Sequence, residues 1–342
     1  MNILDLEYTE LEKIIKDAGL PGFRAGQLFS WAQKGVTEPE DMTNVPKSLW
    51  EKPELEGMCV ELPEVLKVQR STDGTVKCLL GLNDGNAVEA VFMKYKYGNS
   101  ICISSQAGCR MGCVFCASGM NGLERDLTSG EMLGEILAVE KETGEKISHL
   151  VVMGTGEPFD NYENLAKFIR TINHPKGRNL GMRNITVSTC GLIPMIDRFG
   201  DDFPQVNLAI SLHAADSKER SEIMPVNKAY PLDELIDACR RYTEKTGRRI
   251  TFEYTLINGV NDDRAHLDKL STLLKGMLCH VNLIPLNEVK EKSYRAGSRE
   301  RAEEFKEALE KRGIPATVRR ELGSDIDAAC GQLRVETQNT NT

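Results

Sequence analysis

The sequence predicts an α/β protein: a partial (β/α)6 barrel, preceded by a small helical domain and a short β meander. Helical and strand patterns alternate along the chain after Cys116, and strands separated by helices pair in parallel through right-handed crossovers. About six strand–helix units fit between residues 100 and 320, whereas a closed eight-unit barrel takes about 250 residues. A partial barrel therefore fits the available length better.

The first 60 residues are expected to form an N-terminal helical accessory domain. Apolar residues recur there at the spacing of one helix face, and Pro21-Gly22 and Pro46 interrupt the pattern. The residues of this face are Leu11, Ile14, Ile15, Ala18, Leu28 and Trp31. Nothing in this range indicates a chemical role.

A short β meander is predicted for residues 61–98. The segments EVLKVQR, TVKCLLGL and NAVEAVFM alternate apolar and polar residues, as half-buried strands do. Between them lie Asp73-Gly74 and Asp84-Gly85, which are dipeptides that fit tight hairpin turns. The meander leads directly into the barrel.

The barrel is assigned to residues 99–333, and the polar residues 334–342 to a flexible tail. Its predicted helices include SGEMLGEILAVEKETG and ENLAKFIRTI, and its predicted strands are SICIS, HLVVMG, NITVST, NLAISLH, RITFEYTL and HVNLIPL. Barrel enzymes build their sites at the C-terminal ends of parallel strands. The residues that close these strands are therefore the first candidates for a site.

The composition is that of a globular protein, since 40% of the 342 residues are apolar and 27% are charged. No run approaches the roughly 20 apolar residues of a membrane-spanning helix. The acidic start MNILDLEYTE does not resemble a signal peptide, so we expect a cytoplasmic protein without membrane contact. The net charge of -8 argues against a general polyanion binder but permits a local basic face.

Three of the ten cysteines form the central motif. Cys109, Cys113 and Cys116 lie in SSQAGCRMGCVFCASG with CxxxCxxC spacing, immediately after the predicted strand SICIS. Three such thiolates can hold an iron–sulfur cube and leave the fourth iron open to chelate S-adenosylmethionine. The alternative is a structural zinc site, which would need a fourth ligand and usually shows paired CxxC or CxxH motifs.

The motifs resemble those of the RlmN/Cfr family of radical S-adenosylmethionine RNA adenine methyltransferases over essentially the whole chain. The segments that carry the resemblance are SSQAGCRMGCVFCASG, VVMGTGEPFDNY, ITVSTCG, AISLHA, VNLIPLN and GSDIDAACGQL, in that order. The resemblance implies a TIM-like partial barrel, a [4Fe-4S] cluster on the three cysteines and S-adenosyl-L-methionine as cofactor. It also implies methylation of C2 of adenine 2503 in 23S rRNA and of adenine 37 in tRNA, with two cofactor molecules consumed per product.

The cofactor pocket implied by the resemblance consists of residues at four predicted strand ends. They are Gly156, Glu157, Ser188, Ser211, Leu212, His213 and Asn287. Any one of them could be a satisfied polar residue or a solvated turn residue. Four strand ends that carry the pattern together favour the cofactor pocket.

Three further residues receive catalytic roles from the resemblance. Cys330 would carry the methyl group as S-methylcysteine, Cys102 would form a transient disulfide with Cys330, and Glu89 would accept the proton from the base. From local pattern alone both cysteines could be buried core residues, and Glu89 could be an exposed strand carboxylate. The other five cysteines, read as structural, are Cys59, Cys78, Cys190, Cys239 and Cys279.

The expected partners are 23S rRNA, tRNA and an external electron donor of the flavodoxin or ferredoxin type, and the chain is expected to be a monomer. Residues 290–320 carry ten Lys and Arg against six Asp and Glu, and Tyr294 could stack on a base. The alternative for residues 299–312 is a solvated helix face. One rival function is C8 methylation of the same rRNA adenine, which the chemical motifs do not separate from C2 methylation. The other is a non-catalytic iron–sulfur or zinc-binding module, which would not need Cys330 or the polar strand ends.

Overall fold

The computed structural model of the chain describes residues 1–287, 294–328 and 331–333. Its N-terminal part is helical, as predicted, with α1 at Tyr8–Asp17 and α2 at Phe23–Ala32. A capping box between Glu7 and Glu10 begins α1. Leu11 and Leu28 of the predicted apolar face are fully buried, so this face packs into the core.

The predicted meander forms four antiparallel strands, the last of which is also the first strand of the barrel. They are β1 (Glu64–Arg70), β2 (Val76–Gly81), β3 (Ala87–Tyr95) and β4 (Gly98–Ile103). Gly74 and Gly85 have φ of +90° and +87°, a conformation that glycine adopts without strain. Hydrogen bonds from Ser71 to Thr75 and from Leu82 to Asn86 close the two turns. Both Asp-Gly turns are thereby confirmed.

A small separate hairpin follows β4 and was not predicted. It consists of β5 (Gln106–Gly108) and β6 (Leu123–Asp126), and the cysteine motif lies in the loop between them. A Cβ on Gly108, whose φ is +78°, would stand 2.1 Å from the Gly122 carbonyl oxygen. Only glycine fits where the two ends of the loop approach each other.

Parallel strands continue the sheet from β4 in chain order. They are β7 (His149–Val152), β8 (Ile185–Thr189), β9 (Asn207–Ser211), β10 (Ile250–Leu256), β11 (Cys279–Pro285) and β12 (Ala316–Val318). In the described part of the chain, ten strands form this sheet, with β1 and β12 at its edges. The predicted partial barrel is confirmed. β12 extends it by one short strand that the sequence pattern does not predict.

Helices connect the parallel strands, as the alternating pattern predicts. They are α3 (Ser129–Thr143), α4 (Tyr162–Asn173), α5 (Ile193–Asp202), α6 (Ser217–Ile223), α7 (Leu232–Thr246), α8 (Arg264–Leu274) and α9 (Arg299–Glu310). One continuous apolar core joins α3, α4, α5, α7, α8 and α9 to the sheet and to α1 and α2, whereas Ile223 of α6 belongs to a separate small cluster. None of the described helices is both long and apolar enough to cross a membrane.

The segment after β12 returns across the sheet to the meander. Its apolar side chains Leu322, Ala328 and Leu333 form a small cluster with Val91, Met93 and Cys102, away from the main core. This contact brings the segment that contains Cys330 in sequence to the strands that carry Glu89 and Cys102. Cys330 itself lies outside the described residues.

Candidate active site

The loop that carries the three cysteines is anchored at both ends and in the middle. The Cys109 amide donates to the Gly122 carbonyl at 2.8 Å, and the Ala117 amide donates to the Gly331 carbonyl at 2.8 Å. Between these points the Val114 amide donates to the Ile223 carbonyl at the end of α6. The thiols are therefore presented by a fixed loop at the C-terminal end of β4.

One cavity gathers the three cysteines and most of the predicted cofactor residues. Its walls include Cys109, Cys113, Cys116, Gly156, Glu157, Ser188, Ser211, His213 and Asn287. These residues come from one loop and four strand ends that are far apart in sequence. Leu212 differs from the rest of the predicted set, because its side chain is fully buried and does not line this cavity.

Burial disfavours the ionised form of two thiols in this cavity, those of Cys109 and Cys113. It raises the pKa of Cys109 to about 11 and that of Cys113 further still, because a low-dielectric environment disfavours the thiolate. Within the described residues, no three His, Cys, Asp or Glu side chains are gathered closely enough to hold a single metal ion. In a cubane cluster each thiolate binds a different iron, so its ligands do not share one ion.

Glu157 is fixed in the wall of the cavity by backbone hydrogen bonds. Its carboxylate accepts from the Cys190 amide at 2.7 Å and from the Phe159 amide at 2.9 Å. Burial raises its pKa despite these bonds. A Cβ on the preceding Gly156, whose φ is +108°, would come within 2.7 Å of the Ser105 hydroxyl. This strand end therefore requires glycine and leaves Glu157 in one orientation.

His213 is a buried, neutral imidazole at the end of β9. Burial lowers its pKa to about 3, and its Nδ1 accepts the Thr255 amide at 3.0 Å. The ring proton therefore resides on Nε2, which can donate a hydrogen bond. The residue has a φ of +56°, in the left-handed region that non-glycine residues seldom occupy.

Several residues of the cavity wall were missed by the sequence reading. Glu253 of β10 is buried, its pKa is raised by that burial, and Asn282 donates to its carboxylate at 2.8 Å. Cys190, which was read as structural, also lines the cavity, as do Thr255 and Arg319. A charged residue inside the strand pattern RITFEYTL was the available signal for Glu253, whereas Arg319 follows the strand that was not predicted.

A second cavity adjoins the first and contains Cys102. The two cavities share Met153, Ile284, Asn287 and Arg319. Cys102 lies beside Val91 on the neighbouring strand β3, and both line the second cavity with Tyr95 and Leu322. Cys102 therefore lies in a cavity that adjoins the one lined by Cys109, Cys113 and Cys116, and its role as partner thiol stays a prediction.

Glu89 is buried. The alternative prediction, that Glu89 is an exposed carboxylate on a strand, is therefore wrong. Only 7% of the residue is accessible, and its Oε1 lies 3.1 Å from the ammonium nitrogen of Lys77 on β2. Glu89 is two residues before Val91 on β3, so their side chains share one face of the sheet. That face is the one that borders the second cavity.

The residues on either side of Cys330 are held at the site. Ala328 packs with Cys102 in the small apolar cluster, Gly331 lines the first cavity, and the Ser118 hydroxyl donates to the Leu333 carbonyl at 2.9 Å. The described residues that flank positions 329 and 330 in sequence, Ala328 and Gly331, therefore line the second and the first cavity. The predicted disulfide with Cys102 stays a prediction.

The basic stretch predicted for RNA contact is only partly described, because residues 288–293 lie outside the described ranges. In α9 and the turn after it, Arg301, Lys306, Lys311 and Arg312 each have a carboxylate partner. This pairing favours the solvated helix face over an RNA contact for residues 299–312. Tyr294 is half-buried, and its stacking on a base stays a prediction.

Comparison with known proteins shows which family the chain belongs to. Residues 1–58 match the ribosomal RNA large subunit methyltransferase N-terminal domain, and residues 103–270 match the radical SAM superfamily. A probable dual-specificity RNA methyltransferase RlmN from Clostridium perfringens is 53% identical over 97% of this chain and 96% of that protein. One from Geobacillus kaustophilus is 50% identical, over 100% of this chain and 94% of that protein.

A solved structure agrees over the same length. The crystal structure of a radical SAM methyltransferase from Sphaerobacter thermophilus superposes with a TM-score of 0.93 at 45% identity, covering 98% of this chain and 100% of that one. The predicted family and fold class are confirmed. On these matches the chain belongs to the RlmN family of radical SAM RNA methyltransferases.

Proposed function

We propose that this protein is a radical SAM methyltransferase that methylates C2 of adenine in 23S rRNA and tRNA through an S-methylcysteine on Cys330. One observation carries the proposal: a single cavity is lined by Cys109, Cys113 and Cys116 together with polar residues from four strand ends, and it shares lining residues with a second cavity that is lined by Cys102. In a chain of the RlmN family, these are the parts that this reaction needs.

The donor groups in the first cavity fit a [4Fe-4S] cluster and S-adenosyl-L-methionine. Three thiols suit three irons of a cube, and the carboxylates of Glu157 and Glu253 suit a positively charged amino group. The apolar side chains of Phe115 and Met224 line the same cavity and suit an adenine ring. When bound, the two cofactors supply an electrophilic methyl group and a carbon radical that removes a hydrogen atom.

The second cavity suits the substrate base. Apolar side chains and Tyr95 line it, together with Arg319 and Arg320; aromatic rings and guanidinium groups are common stacking partners of unpaired bases. An adenine must leave its helical stack to enter such a cavity. In this proposal the base contacts this lining, beside Cys102 and the first cavity.

Cys330 and Cys102 perform the sulfur chemistry in this proposal. C2 of adenine is electron-poor and does not attack an electrophilic methyl group, whereas a thiolate does. Cys330 therefore takes the methyl group first and, after losing a hydrogen atom from it, bonds that carbon to C2 as a radical adduct. The adduct passes its unpaired electron to the external flavodoxin- or ferredoxin-type carrier and its C2 proton to Glu89. Cys102 then attacks the Cys330 sulfur, the sulfur–carbon bond breaks with its electron pair on carbon, that carbon takes up a proton to become the methyl group, and a disulfide forms.

Glu89 is assigned the remaining task, which is to remove the proton from C2 before the sulfur–carbon bond breaks. The Lys77 ammonium nitrogen lies 3.1 Å from Oε1 of Glu89 and holds the carboxylate in one place. Release of product requires both Glu89 and Cys102. Loss of either should leave RNA attached to Cys330.

The proposal includes partners and a compartment. Electrons for the cluster and for reduction of the disulfide come from an external donor of the flavodoxin or ferredoxin type. The disulfide must be reduced in every cycle, so a reducing cytoplasm suits this chemistry. We propose that the enzyme acts there as a monomer.

The test uses the purified enzyme with a reconstituted cluster, S-adenosylmethionine, a reductant and 23S rRNA or tRNA. Mass spectrometry of digested RNA is expected to show 2-methyladenosine with the native chain and with Cys279→Ala, and none with Cys330→Ala. 8-Methyladenosine would instead assign the C8 reaction. Turnover by Cys330→Ala would exclude the carrier role, and failure to cleave S-adenosylmethionine would favour a non-catalytic module.

A further inference from the structure

The turn between β1 and β2 holds the chain segment that leads to Cys330. The Thr72 amide donates to the Asp325 carboxylate at 3.2 Å, and the Gly323 amide donates to the Asp73 carboxylate at 2.9 Å. These contacts join residues about 250 positions apart in sequence. We call Thr72, Asp73 and Lys77 the hairpin clamp.

Lys77 makes the buried part of this clamp. Its Nζ lies 3.1 Å from Glu89 Oε1 and donates to the Asp327 carbonyl at 3.0 Å, and the side chains of the Lys77–Glu89 pair are only 7% and 8% exposed. One ammonium group therefore connects the candidate proton acceptor to a backbone atom three residues before Cys330.

The register of the sheet explains why one lysine can reach both groups. Lys77 is paired with Val91 across β2 and β3, and Val91 is paired with Cys102 across β3 and β4. Glu89 follows on the same face of β3, two residues away. Lys77, Glu89 and Cys102 thus lie on one face, with the segment 322–328 packed over it.

The contacts of the buried Lys77 ammonium group restrict the conformation of the segment 322–328. A buried ammonium group without partners is costly, so Lys77 is stable only while Glu89 and the Asp327 carbonyl both face it. Asp327 has a φ of +50°, an unfavourable conformation for a non-glycine residue. Contacts on both sides of this residue hold it there.

We propose that the hairpin clamp positions the Cys330 segment, and that Lys77 is the positioning residue that sets Glu89 and this segment in one fixed arrangement. The inference rests on the proposed function. The methyl carrier and the proton acceptor act on the same carbon atom of the base. Their relative placement therefore determines how fast product forms once Cys330 has been methylated.

The experiment compares Lys77→Met, Lys77→Arg and Glu89→Gln in the reconstituted enzyme. Lys94→Met is the matched control, because Lys94 of β3 pairs with Glu145 at the surface. We measure S-methylation of Cys330 by peptide mass spectrometry, the RNA-linked protein on a denaturing gel, and methylated adenosine. With Lys77→Met we expect Cys330 to reach at least half its native methylation, product to fall at least tenfold, and linked RNA to accumulate.

The variants distinguish positioning from a general loss of structure. Lys77→Arg should recover product to within about threefold of the native level. The double variant Lys77→Met/Glu89→Gln should be no worse than Glu89→Gln alone, since both changes break one arrangement. Product within threefold of native for Lys77→Met, or fully additive losses in the double variant, would overturn the proposal.

Hydrogen exchange gives a readout that does not depend on catalysis. Amides of residues 323–328 should exchange at least tenfold faster in Lys77→Met and at the native rate in Lys94→Met; unchanged exchange would contradict the clamp. If Lys77→Met unfolds at the assay temperature, Asp325→Ala replaces it, because it removes the Thr72 contact without leaving a buried charge, and the same exchange result is expected. Absence of methylated adenosine with the native chain would refute the proposed function and leave this exchange test intact.

Discussion

His213 shows how single residues at this site are set by burial. It is neutral because burial lowers its pKa to about 3, below the value of about 6.5 for an unfolded chain. Its contribution to stability is therefore complete above pH 6.5 and is lost as the pH falls towards 3. Between pH 6.5 and pH 3, His213 binds a proton in the unfolded chain but not in the folded chain.

This difference predicts how His213→Asn changes the pH dependence of stability. Asparagine tolerates the left-handed conformation and does not titrate. Between pH 7.5 and pH 5 the native chain should lose about 2 kcal/mol more unfolding free energy than the variant does. Chemical denaturation of both proteins at the two pH values measures it, and parallel losses would show that His213 is not the buried neutral group described here.

Arg220 is a second buried residue on which the stability of the fold depends. Its guanidinium is fully buried in α6 and donates to the carbonyls of Leu212, Cys190 and Ser211 and to the side chain of Asn227. Three of these groups belong to the strand ends that line the first cavity or adjoin it. Burial lowers the pKa of Arg220, although nearby thiols oppose that effect.

We expect Arg220→Met to lower the unfolding free energy by about 3 kcal/mol or more, because it leaves several buried carbonyls without donors. Arg312→Met provides the control. Arg312 pairs with Asp268 in an exposed ion pair, and its loss should cost less than about 1 kcal/mol. Thermal melting of the two variants compares them; equal effects would argue against a structural role for the buried guanidinium.

Sequence reasoning reached many of these residues, but not all. The cysteine spacing and the polar residues that close apolar strands were visible in the linear pattern, and the structure gathers them in one cavity. Arg220 and Arg319 were not singled out, because their meaning depends on which carbonyls and cavities surround them. Leu212 was included with its neighbours, although its side chain points into the core.

At the scale of elements, two glycines of α3 allow close contact with residues near the N-terminus and with Pro63. A Cβ on Gly130 would stand 2.7 Å from Asp5 Oδ1, and one on Gly134 would stand 2.8 Å from Pro63. The Gly130 amide also donates to the Asp5 carboxylate at 2.7 Å. The two glycines, four residues apart on one face, allow this close approach.

Gly134→Ala should therefore destabilise the protein although alanine is the better helix former. Overpacking against Pro63 costs about 1–3 kcal/mol, whereas helix propensity returns at most about 1 kcal/mol. Lys141→Ala, on the exposed side of the same helix, should be neutral or slightly stabilising. Melting temperatures and the rate of proteolysis near residue 60 measure the effect, and a stabilised Gly134→Ala would refute the close contact.

The elements themselves were largely predictable, because long periodic segments determine them. β10 and β11 are seven-residue strands rich in aliphatic, aromatic and β-branched residues, and α3 and α7 are amphipathic or buried over fifteen residues. β12 and the β5–β6 hairpin were missed because three or four residues carry too little periodicity. Their pairing depends on neighbours that are distant in sequence.

For the whole molecule, one sheet connects the antiparallel meander to the parallel barrel, and the chain after β12 returns to that meander. No local pattern predicts this return, which places residues 323–328 beside β2 and β3. The domain limits at residues 60, 98 and 333 stay predictions. The net charge of -8 is compatible with an RNA substrate if contact is confined to the rim of the site.

The three cysteines should act as one unit at this scale. If these cysteines are the proposed cluster ligands, replacing any one of Cys109, Cys113 and Cys116 by alanine should abolish S-adenosylmethionine cleavage, with iron content and visible absorbance falling together. Cys239 lies in the main core, so the Cys239→Ala variant should have the same iron content as the native protein. Normal iron content and cleavage in any of the three variants would contradict the cluster assignment.

The central claim is that the transferred carbon passes through Cys330 to C2 of adenine. S-adenosylmethionine with a fully deuterated methyl group tests it most directly, with mass spectrometry of the RNA product. One deuterium is lost when the S-methyl group gives up a hydrogen atom, so the account predicts 2-methyladenosine that retains two deuterium atoms. A product that retains all three, or one methylated at C8, would contradict it.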